Sequence, residues 1–171
     1  MLKGVSKSFK DRADGAAFWE AWVGAVLARA GLYTVHHPFL ADGLDTHGQT
    51  FDLEVYGNHP QAFMDGSGMT DVEVKSLNLS FTGPADYPFD DVMLCSQNSW
   101  LRKWPGSYHV CRDFLLVSRH TGNLVWVPCM APVEMGREVT DSSRGETYKV
   151  VVAKKVNLRP LSDFVEAMKD G

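Results

Sequence analysis

The chain has 171 residues, of which 44% are hydrophobic, with a formal net charge of −4 and a pI near 5.8. This length supports one domain with a sizeable core, and the acidic balance argues against a protein that coats nucleic acid without specificity. We therefore expect a single domain over residues 1–171, with residues 1–13 forming either a flexible arm or a short first helix. Basic residues outnumber acids between Trp100 and Pro160, which is compatible with a local basic surface.

Cysteine usage and hydropathy indicate the compartment. The chain has three cysteines and no CxxC motif, a pattern that predicts reduced, buried thiols rather than a disulfide framework or a zinc site: Cys95, Cys111 and Cys129. The first residues lack the apolar segment of a signal peptide, and no apolar run approaches membrane-spanning length. We expect a soluble cytoplasmic protein with no membrane partner.

The first half of the chain predicts a helix followed by three strands. Apolar residues at helical spacing begin after Asp14, a plausible N-cap, and end at Gly31. Apolar runs then predict strands at residues 33–39, 49–56 and 71–77, with a loop at residues 57–69.

The second half predicts a helix, a hairpin and a final helix. Residues 91–95 fit either a short strand or a helix start, and residues 96–104 fit a helix capped by Ser96 or Asn98. The turn at residues 119–123 predicts a hairpin between strands 114–118 and 124–128. A polar stretch at 136–145, a strand at 147–153 and a helix at 161–168 capped by Ser162 complete the chain. The order predicts an α/β fold with a mixed central sheet flanked by helices.

One strand carries the pattern on which the functional interpretation depends. In Asp71-Val72-Glu73-Val74-Lys75 the charges alternate with valines, so that all three charged side chains share one face of a strand. A solvated edge with one Glu–Lys pair is the simpler interpretation. However, Asp52 lies in the preceding predicted strand, and Glu20 interrupts an apolar helix, although that residue also fits a solvent-facing position.

These residues could form a metal site if the fold brings them together. The carboxylates of Asp52 and Glu73, with the backbone carbonyl of Val74, would make a hard oxygen site for Mg²⁺ or Mn²⁺. Lys75 beside such a site could hold the attacking water and neutralise charge on a phosphate, or act as a base. The sequence leaves both roles open.

The arrangement of Asp52, Glu73-Val74-Lys75 and a preceding helix with Glu20 resembles the PD-(D/E)XK nuclease superfamily. The resemblance covers roughly residues 14–128 and implies a single restriction-endonuclease-like domain. It also implies Mg²⁺-dependent hydrolysis of DNA, with Asp52 and Glu73 as metal ligands, Lys75 as the catalytic lysine and Glu20 as the accessory acid. Gln97 falls where some members keep a further polar residue.

The sequence departs from that pattern in two respects. Phe51 stands where the superfamily's name has a proline, a position that varies among its members. Glu54 shares a strand face with Asp52, and Asp71 shares one with Glu73, so either acid could replace a ligand or tune the charge of the site.

Other polar and aromatic residues have competing interpretations. Arg102 and Lys103, together with basic residues between 137 and 155, could follow a phosphate backbone or form a scattered solvated face. The adjacent His36 and His37 are interpreted as structural rather than as ligands. Trp100 and Trp104, four apart on a helix, are expected in the core, with base stacking as the alternative.

The leading hypothesis is therefore a metal-dependent deoxyribonuclease in DNA repair, recombination or phage DNA processing, acting in the cytoplasm of a bacterium or a phage-infected cell. The expected partner is DNA, and a homodimer and a monomer are both compatible with the composition. One alternative is a non-catalytic nucleic-acid-binding or assembly module that keeps the nuclease fold. Another is a phosphohydrolase with a similar site on a different fold.

Overall fold

The computed structural model describes residues 7–37, 52–57, 68–142 and 145–170. These ranges contain three α-helices and nine strands. In chain order the elements are α1 (Lys7–Arg29), β1 (Tyr33–His36), β2 (Leu53–Tyr56), β3 (Met69–Leu77), β4 (Asp91–Ser96), α2 (Gln97–Lys103), β5 (Asp113–Ser118), β6 (Leu124–Val127), β7 (Val133–Asp141), β8 (Glu146–Lys154), a 3-10 helix (Lys155–Asn157), β9 (Arg159–Pro160) and α3 (Leu161–Asp170).

A mixed six-stranded sheet with the order β1-β2-β3-β5-β6-β9 forms the centre of the molecule. β1, β2 and β3 are an antiparallel meander, whereas β5 lies parallel to β3. The crossover between those two parallel strands contains β4 and α2. A three-stranded antiparallel sheet, β4-β8-β7, completes the strands among the described residues.

The first hydrophobic core joins the central sheet to α1 and α3. Its sheet residues alternate along the strands, as a period of two requires. They pack against Val23 and Leu27 of α1 and Phe164 and Met168 of α3; the sheet contributes Leu53, Val55, Val72, Leu115, Val117 and Leu124. Both helices therefore cover the same face of the sheet.

The second core lies on the opposite face and joins the central sheet to the smaller sheet and α2. Phe114 and Leu116 alternate with Leu115 and Val117 along β5, so this strand contributes to both cores. Trp100 of α2 is fully buried here, and Trp104 packs against the same core, as expected from their spacing. The molecule thus has three layers, the middle one being the six-stranded sheet.

Several predictions of local structure are confirmed. β5 and β6 form the antiparallel hairpin about residues 119–123. Gly31 has a φ of +87° immediately after α1, which is the conformation that makes glycine a favourable helix stop. Ser96 caps α2, its hydroxyl accepting a hydrogen bond from the backbone N–H of Ser99 at 3.2 Å. Residues 91–95 belong to a strand rather than a helix.

Other boundaries were wrong. α1 begins at Lys7, so Asp14 lies inside the helix and is not its N-cap. Residues 7–13, for which an arm and a short helix were both considered, are helical and continuous with the rest of α1. Ser162 is likewise within α3 and is not its N-cap. The predicted ends of the strands at 38–39 and 49–51 lie outside the described residues.

The largest discrepancy concerns the second sheet, which replaces helices on part of one face of the central sheet. The polar stretch from residue 136 forms the last six of the nine residues of β7, and pairs with β8 as far as Asp141. Two of the cysteines, Cys111 and Cys129, are exposed rather than buried, and all three are free thiols. Among the described helices, none is both long enough and apolar enough to cross a membrane.

Candidate active site

The candidate site lies where β2 and β3 separate. The described part of β2 pairs with β3 from Met69 to Val72 only, and Asp52 immediately precedes β2. The Asp52 backbone N–H donates to the Val72 carbonyl at 2.9 Å, and the Val74 N–H donates to Asp52 Oδ2 at 2.7 Å. The Asp52 side chain thus takes the place of a strand partner for Val74. Because the N–H and C=O of a strand residue point to the same edge, the Val74 carbonyl also faces this side of β3.

Glu73 lies on the face of β3 opposite the first core. It pairs in register with Phe114, which belongs to the second core, and its side chain is buried. Both of its carboxylate oxygens accept hydrogen bonds from Lys103 Nζ of α2, at 2.9 and 3.1 Å. An ion pair with two hydrogen bonds offsets part of the free-energy cost of burying this charge.

The negative charge of Glu73 raises the pKa values of both Asp52 and Glu20. The pKa of Asp52 is raised to about 7, chiefly by burial and next by the carboxylate of Glu73, with Glu20 as a smaller contributor. The hydrogen bond from Val74 acts in the opposite direction, as does the ammonium of Lys103. Burial also raises the pKa of Glu20, and the charge of Glu73 adds to that effect. The structure therefore brings the three predicted acids into one cluster whose members repel one another.

Neither Asp52 Oδ1 nor the carboxylate of Glu20 has a hydrogen-bond or ion-pair partner within the described part of the chain. Glu20 is half-buried on α1 and does not occupy the solvent-facing position considered for it. Lys103 compensates Glu73 directly. The cluster of Glu20, Asp52 and Glu73 therefore carries negative charge in excess of the one ammonium bound to it.

Lys75 follows Glu73 on the same face of β3 and pairs in register with Leu116. Its side chain is half-buried, and its ammonium makes no hydrogen bond or ion pair with the described residues. It lies near the half-buried thiol of Cys95, whose pKa is raised by burial and lowered in part by the charge of Lys75. A lysine next to an acidic cluster, but not bound by it, is available to a ligand.

The two competing acids are engaged elsewhere. Glu54 Oε1 lies 3.1 Å from Nε2 of His37, and its other oxygen accepts a hydrogen bond from the Tyr56 hydroxyl at 2.8 Å. Asp71 forms an ion pair with Arg112. These partners favour structural roles for both acids and for His37. The other histidine, His36, packs its ring against the backbone of Gly24 on α1, which also indicates a structural role.

The three residues considered for nucleic-acid binding have separate environments. Arg102 is exposed, and its one hydrogen bond to a described residue is to the Ser99 hydroxyl, at 3.5 Å. Lys103 is bound to Glu73, a contact that the sequence does not predict. Gln97 Oε1 is buried with no hydrogen-bond partner among the described residues, and lies on the side of α2 that faces Gly136 of β7.

The donor set suits a hard divalent cation, although its present arrangement does not enclose one. Within the described ranges, no group of three or more His, Cys, Asp or Glu side chains is positioned to hold a metal ion. However, Asp52 Oδ1 has no partner among the described residues, and burial, followed by the charge of Glu73, raises the pKa of Asp52. Oxygen ligands of this kind fit Mg²⁺ or Mn²⁺. Asp52, Glu73 and the Val74 carbonyl are the groups that would hold it, with Lys103 competing for Glu73.

Comparison with known proteins finds no matching protein-family profile, no matching characterised protein and no matching solved structure. The functional interpretation therefore depends on the residues and geometry of this chain.

Proposed function

We propose that the chain is a metal-dependent deoxyribonuclease that hydrolyses DNA phosphodiester bonds at the cluster of Glu20, Asp52, Glu73 and Lys75. The observation that supports this most directly is the excess negative charge of the three acids beside a lysine with no carboxylate partner. Such an arrangement reduces the stability of the folded chain, and it is typical of sites whose charge is neutralised by a ligand. Repair, recombination or phage DNA processing in the cytoplasm is the proposed setting.

The order of the elements agrees with the resemblance drawn from the sequence. That resemblance implies a helix, a three-strand meander, a further helix and a further strand. The chain has α1, the meander β1-β2-β3, α2 and then β5, with β4 inserted before α2. Asp52 immediately precedes β2, and the Glu73-Val74-Lys75 segment lies on the neighbouring strand β3. These features support a restriction-endonuclease-like domain as part of the proposal.

Each residue of the site would have a separate role, which depends on its position. Asp52, Glu73 and the Val74 carbonyl would hold a divalent cation, which would supply positive charge at the phosphate and make a nearby water more acidic. Asp52 is held in place by Val74 N–H, so its second oxygen keeps a fixed direction. Glu20 has no partner among the described residues, and its pKa is raised, chiefly by burial, so it can accept or hold a proton of a water near the cluster.

Lys75 is the residue proposed to act on the reacting groups. Its ammonium can hold the attacking water by hydrogen bonding and stabilise negative charge on the phosphate oxygens as the new P–O bond forms and the bond to the leaving oxygen breaks. Lys103 has a different role because its ammonium is bound to Glu73. It balances the charge of the cluster before a cation binds.

A second function is favoured by the ion pair between Lys103 and Glu73. The ammonium bound to both oxygens of Glu73 occupies the place that a metal cation would take, which is what a non-catalytic nucleic-acid-binding module with this fold would show. The two functions differ in one respect. In the nuclease, the ion pair between Lys103 and Glu73 must break so that Glu73 can bind a cation. In the binding module the ion pair can remain.

DNA cleavage by the wild type and by Lys75→Ala separates these functions. Linear, circular and branched DNA are incubated with Mg²⁺, with Mn²⁺ or with EDTA, and the matched control is Lys149→Ala, which removes an exposed lysine of β8. The nuclease predicts metal-dependent cleavage that Lys75→Ala loses by at least about a hundredfold and Lys149→Ala retains. Metal-independent DNA binding without cleavage of any substrate would favour the binding module.

A further inference from the structure

The turn between β5 and β6 brings an unpaired arginine to the end of β3. The Arg119 backbone N–H donates to the Leu77 carbonyl at 2.9 Å, which fixes the turn against β3. The Arg119 guanidinium donates through Nε and Nη2 to the hydroxyl of Ser76, at 3.0 and 2.8 Å. No carboxylate among the described residues pairs with it, and the side chain is exposed.

This arginine is well placed to bind a phosphate. A guanidinium anchored on a neutral hydroxyl keeps its full charge and three free N–H donors, and its planar fork suits phosphate oxygens. Ser76 is two residues after Val74, a distance of about 6.6 Å along a strand. That is close to the step between neighbouring phosphates of one nucleic-acid strand. The Ser76 side chain shares the α1 face of β3 with Val72 and Val74, whereas Glu73 and Lys75 lie on the opposite face. A phosphate at Arg119 would therefore lie on the α1 side of the sheet, one such step along β3 from the Val74 carbonyl.

A cavity of about 330 Å³ lies on the other side of the same turn. It is bounded by α1, by the turn and by the loop at residues 82–83, and none of its described lining residues is acidic: Trp22, Val26, Thr82, Gly83, Thr121, Gly122, Asn123, Leu124, Pro160 and Leu161. Ser76, Val117 and Leu124 form one row across β3, β5 and β6. Ser76, which binds the guanidinium of Arg119, therefore lies two strand spacings, about 10 Å, from Leu124 in the cavity lining.

The indole of Trp22 is held in place at this cavity. Its Nε1–H donates to the Gly122 carbonyl at 3.0 Å, and the ring packs so closely on Gly122 that an added Cβ would lie 3.0 Å from Cζ2. The side chain nevertheless remains 42% exposed. A fixed, partly exposed indole offers a stacking surface at little cost in conformational entropy. Asn123, also in the lining, has an amide with no described partner.

We propose, building on the nuclease function above, that Arg119 and the Trp22 cavity bind an unpaired nucleotide next to the scissile phosphate. Arg119 takes the phosphate, and Trp22 stacks on the base. A base paired inside a duplex cannot enter this cavity, because it remains stacked between its neighbours. The substrate is therefore DNA with a single-stranded segment, such as a flap, an overhang or an open junction.

Binding measured in EDTA tests this proposal without requiring cleavage. Fluorescence anisotropy of a labelled single-stranded DNA is compared with that of a closed circular duplex for the full chain and its variants. Trp22→Leu and Arg119→Ala are each expected to weaken single-strand binding roughly tenfold or more. Trp22→Leu should leave duplex binding unchanged, and Trp22→Phe should restore most of the single-strand affinity.

Matched controls are Phe18→Leu, an exposed aromatic of α1 outside the cavity, and Arg29→Ala, an exposed arginine in the last turn of the same helix. Equal losses from Phe18→Leu and Trp22→Leu would overturn the proposal, as would unchanged affinity in both Trp22→Leu and Arg119→Ala. If Trp22→Leu fails to fold, the single-strand affinity of Arg119→Ala still tests the proposal. Tighter binding of an RNA strand of the same sequence would overturn the assignment to DNA.

The failure of this proposal is distinguishable from failure of the nuclease function. Metal-dependent cleavage with no effect of Trp22→Leu on single-strand binding would leave the nuclease in place and remove only the nucleotide subsite. Absence of cleavage would instead remove the nuclease function on which the subsite depends.

Discussion

At the scale of single residues, the buried carboxylate of Asp52 makes the folded chain less stable. Its pKa is raised from 3.8 to about 7 by burial and by Glu73, so the folded chain binds a proton more readily than the unfolded chain does. In the absence of metal, this group therefore makes the fold less stable as pH rises from about 4 to 7. The same charge would favour cation binding above that range.

Asp52→Asn is accordingly expected to stabilise the metal-free chain, and more so at pH 8 than at pH 5. The amide keeps an oxygen for Val74 N–H and removes the charge. The increase in Tm at pH 8 should be at least about 2–4 °C, the effect of roughly 1 kcal/mol in a chain of this size. Thermal unfolding in EDTA at both pH values measures it. An equal or larger increase at pH 5 would contradict the assignment of the raised pKa to Asp52.

Lys103 offers a complementary prediction. Lys103→Met removes the ammonium from a buried Glu73 and keeps most of the side-chain volume. The metal-free variant should be less stable by about 1–3 kcal/mol, because a buried charge loses its partner. It should also bind Mn²⁺ more tightly than the wild type, since the cation no longer displaces an ammonium. Weaker Mn²⁺ binding would indicate that Lys103 does not compete with a cation.

The sequence was sufficient to predict which residues of β3 share a face, because a period of two determines it. It also indicated Asp52 and Glu20 as candidate partners. Neither the contact between Lys103 and Glu73 nor the position of Arg119 could be predicted. Those contacts depend on how α2 and the β5–β6 turn pack across layers, which spacing along the chain does not determine.

At the scale of elements, α2 connects the site to the second core. Its first residue follows the Ser96 cap, Trp100 is buried in the core, and Lys103 in the last turn reaches Glu73. The cap therefore helps to position the ammonium that balances the acidic cluster.

Ser96→Ala should cost about 0.5–2 kcal/mol of stability, since it leaves the Ser99 N–H without its side-chain acceptor. Ser99→Ala is the matched control in the same helix, because the Ser99 hydroxyl makes only a 3.5 Å contact with Arg102. Urea unfolding of both variants provides the comparison. A loss in Ser99→Ala equal to that in Ser96→Ala would show that the cap contributes nothing specific.

Element prediction succeeded where the apolar pattern was strong and failed where it was weak. The β5–β6 hairpin is apolar on both faces and has a glycine turn. Gly136, Arg137 and Glu138 of β7 are all exposed, so this part of the strand lacks the alternation by which a half-buried strand is identified. Gly136, with a φ of +87° at the irregularity in β7, also resembles a loop signal in the sequence.

At the scale of the whole molecule, β5 makes the two cores interdependent. Leu115 packs in the core with α1 and α3, whereas Leu116 packs in the core with the second sheet. Both are fully buried. Loss of either core would therefore expose one face of the strand that the other core requires.

Leu115→Ala and Leu116→Ala are each expected to cost about 2–5 kcal/mol. Because β5 is shared, both variants should shift a single unfolding transition rather than split it into two. Far-ultraviolet circular dichroism and tryptophan fluorescence should give coincident curves for each variant. Separate transitions by the two probes would show that the layers unfold independently.

The three-layer arrangement places the acidic cluster at the point where β2 and β3 separate, and the proposed function has a divalent cation bound there. Calorimetric titration of Mn²⁺ into the wild type, Asp52→Asn and Asp71→Asn tests this most directly, because Asp71 lies on β3 but pairs with Arg112. We predict binding by the wild type and by Asp71→Asn, and at least tenfold weaker binding by Asp52→Asn. Equal affinities in all three proteins, or no binding by the wild type, would contradict a metal site at Asp52 and Glu73.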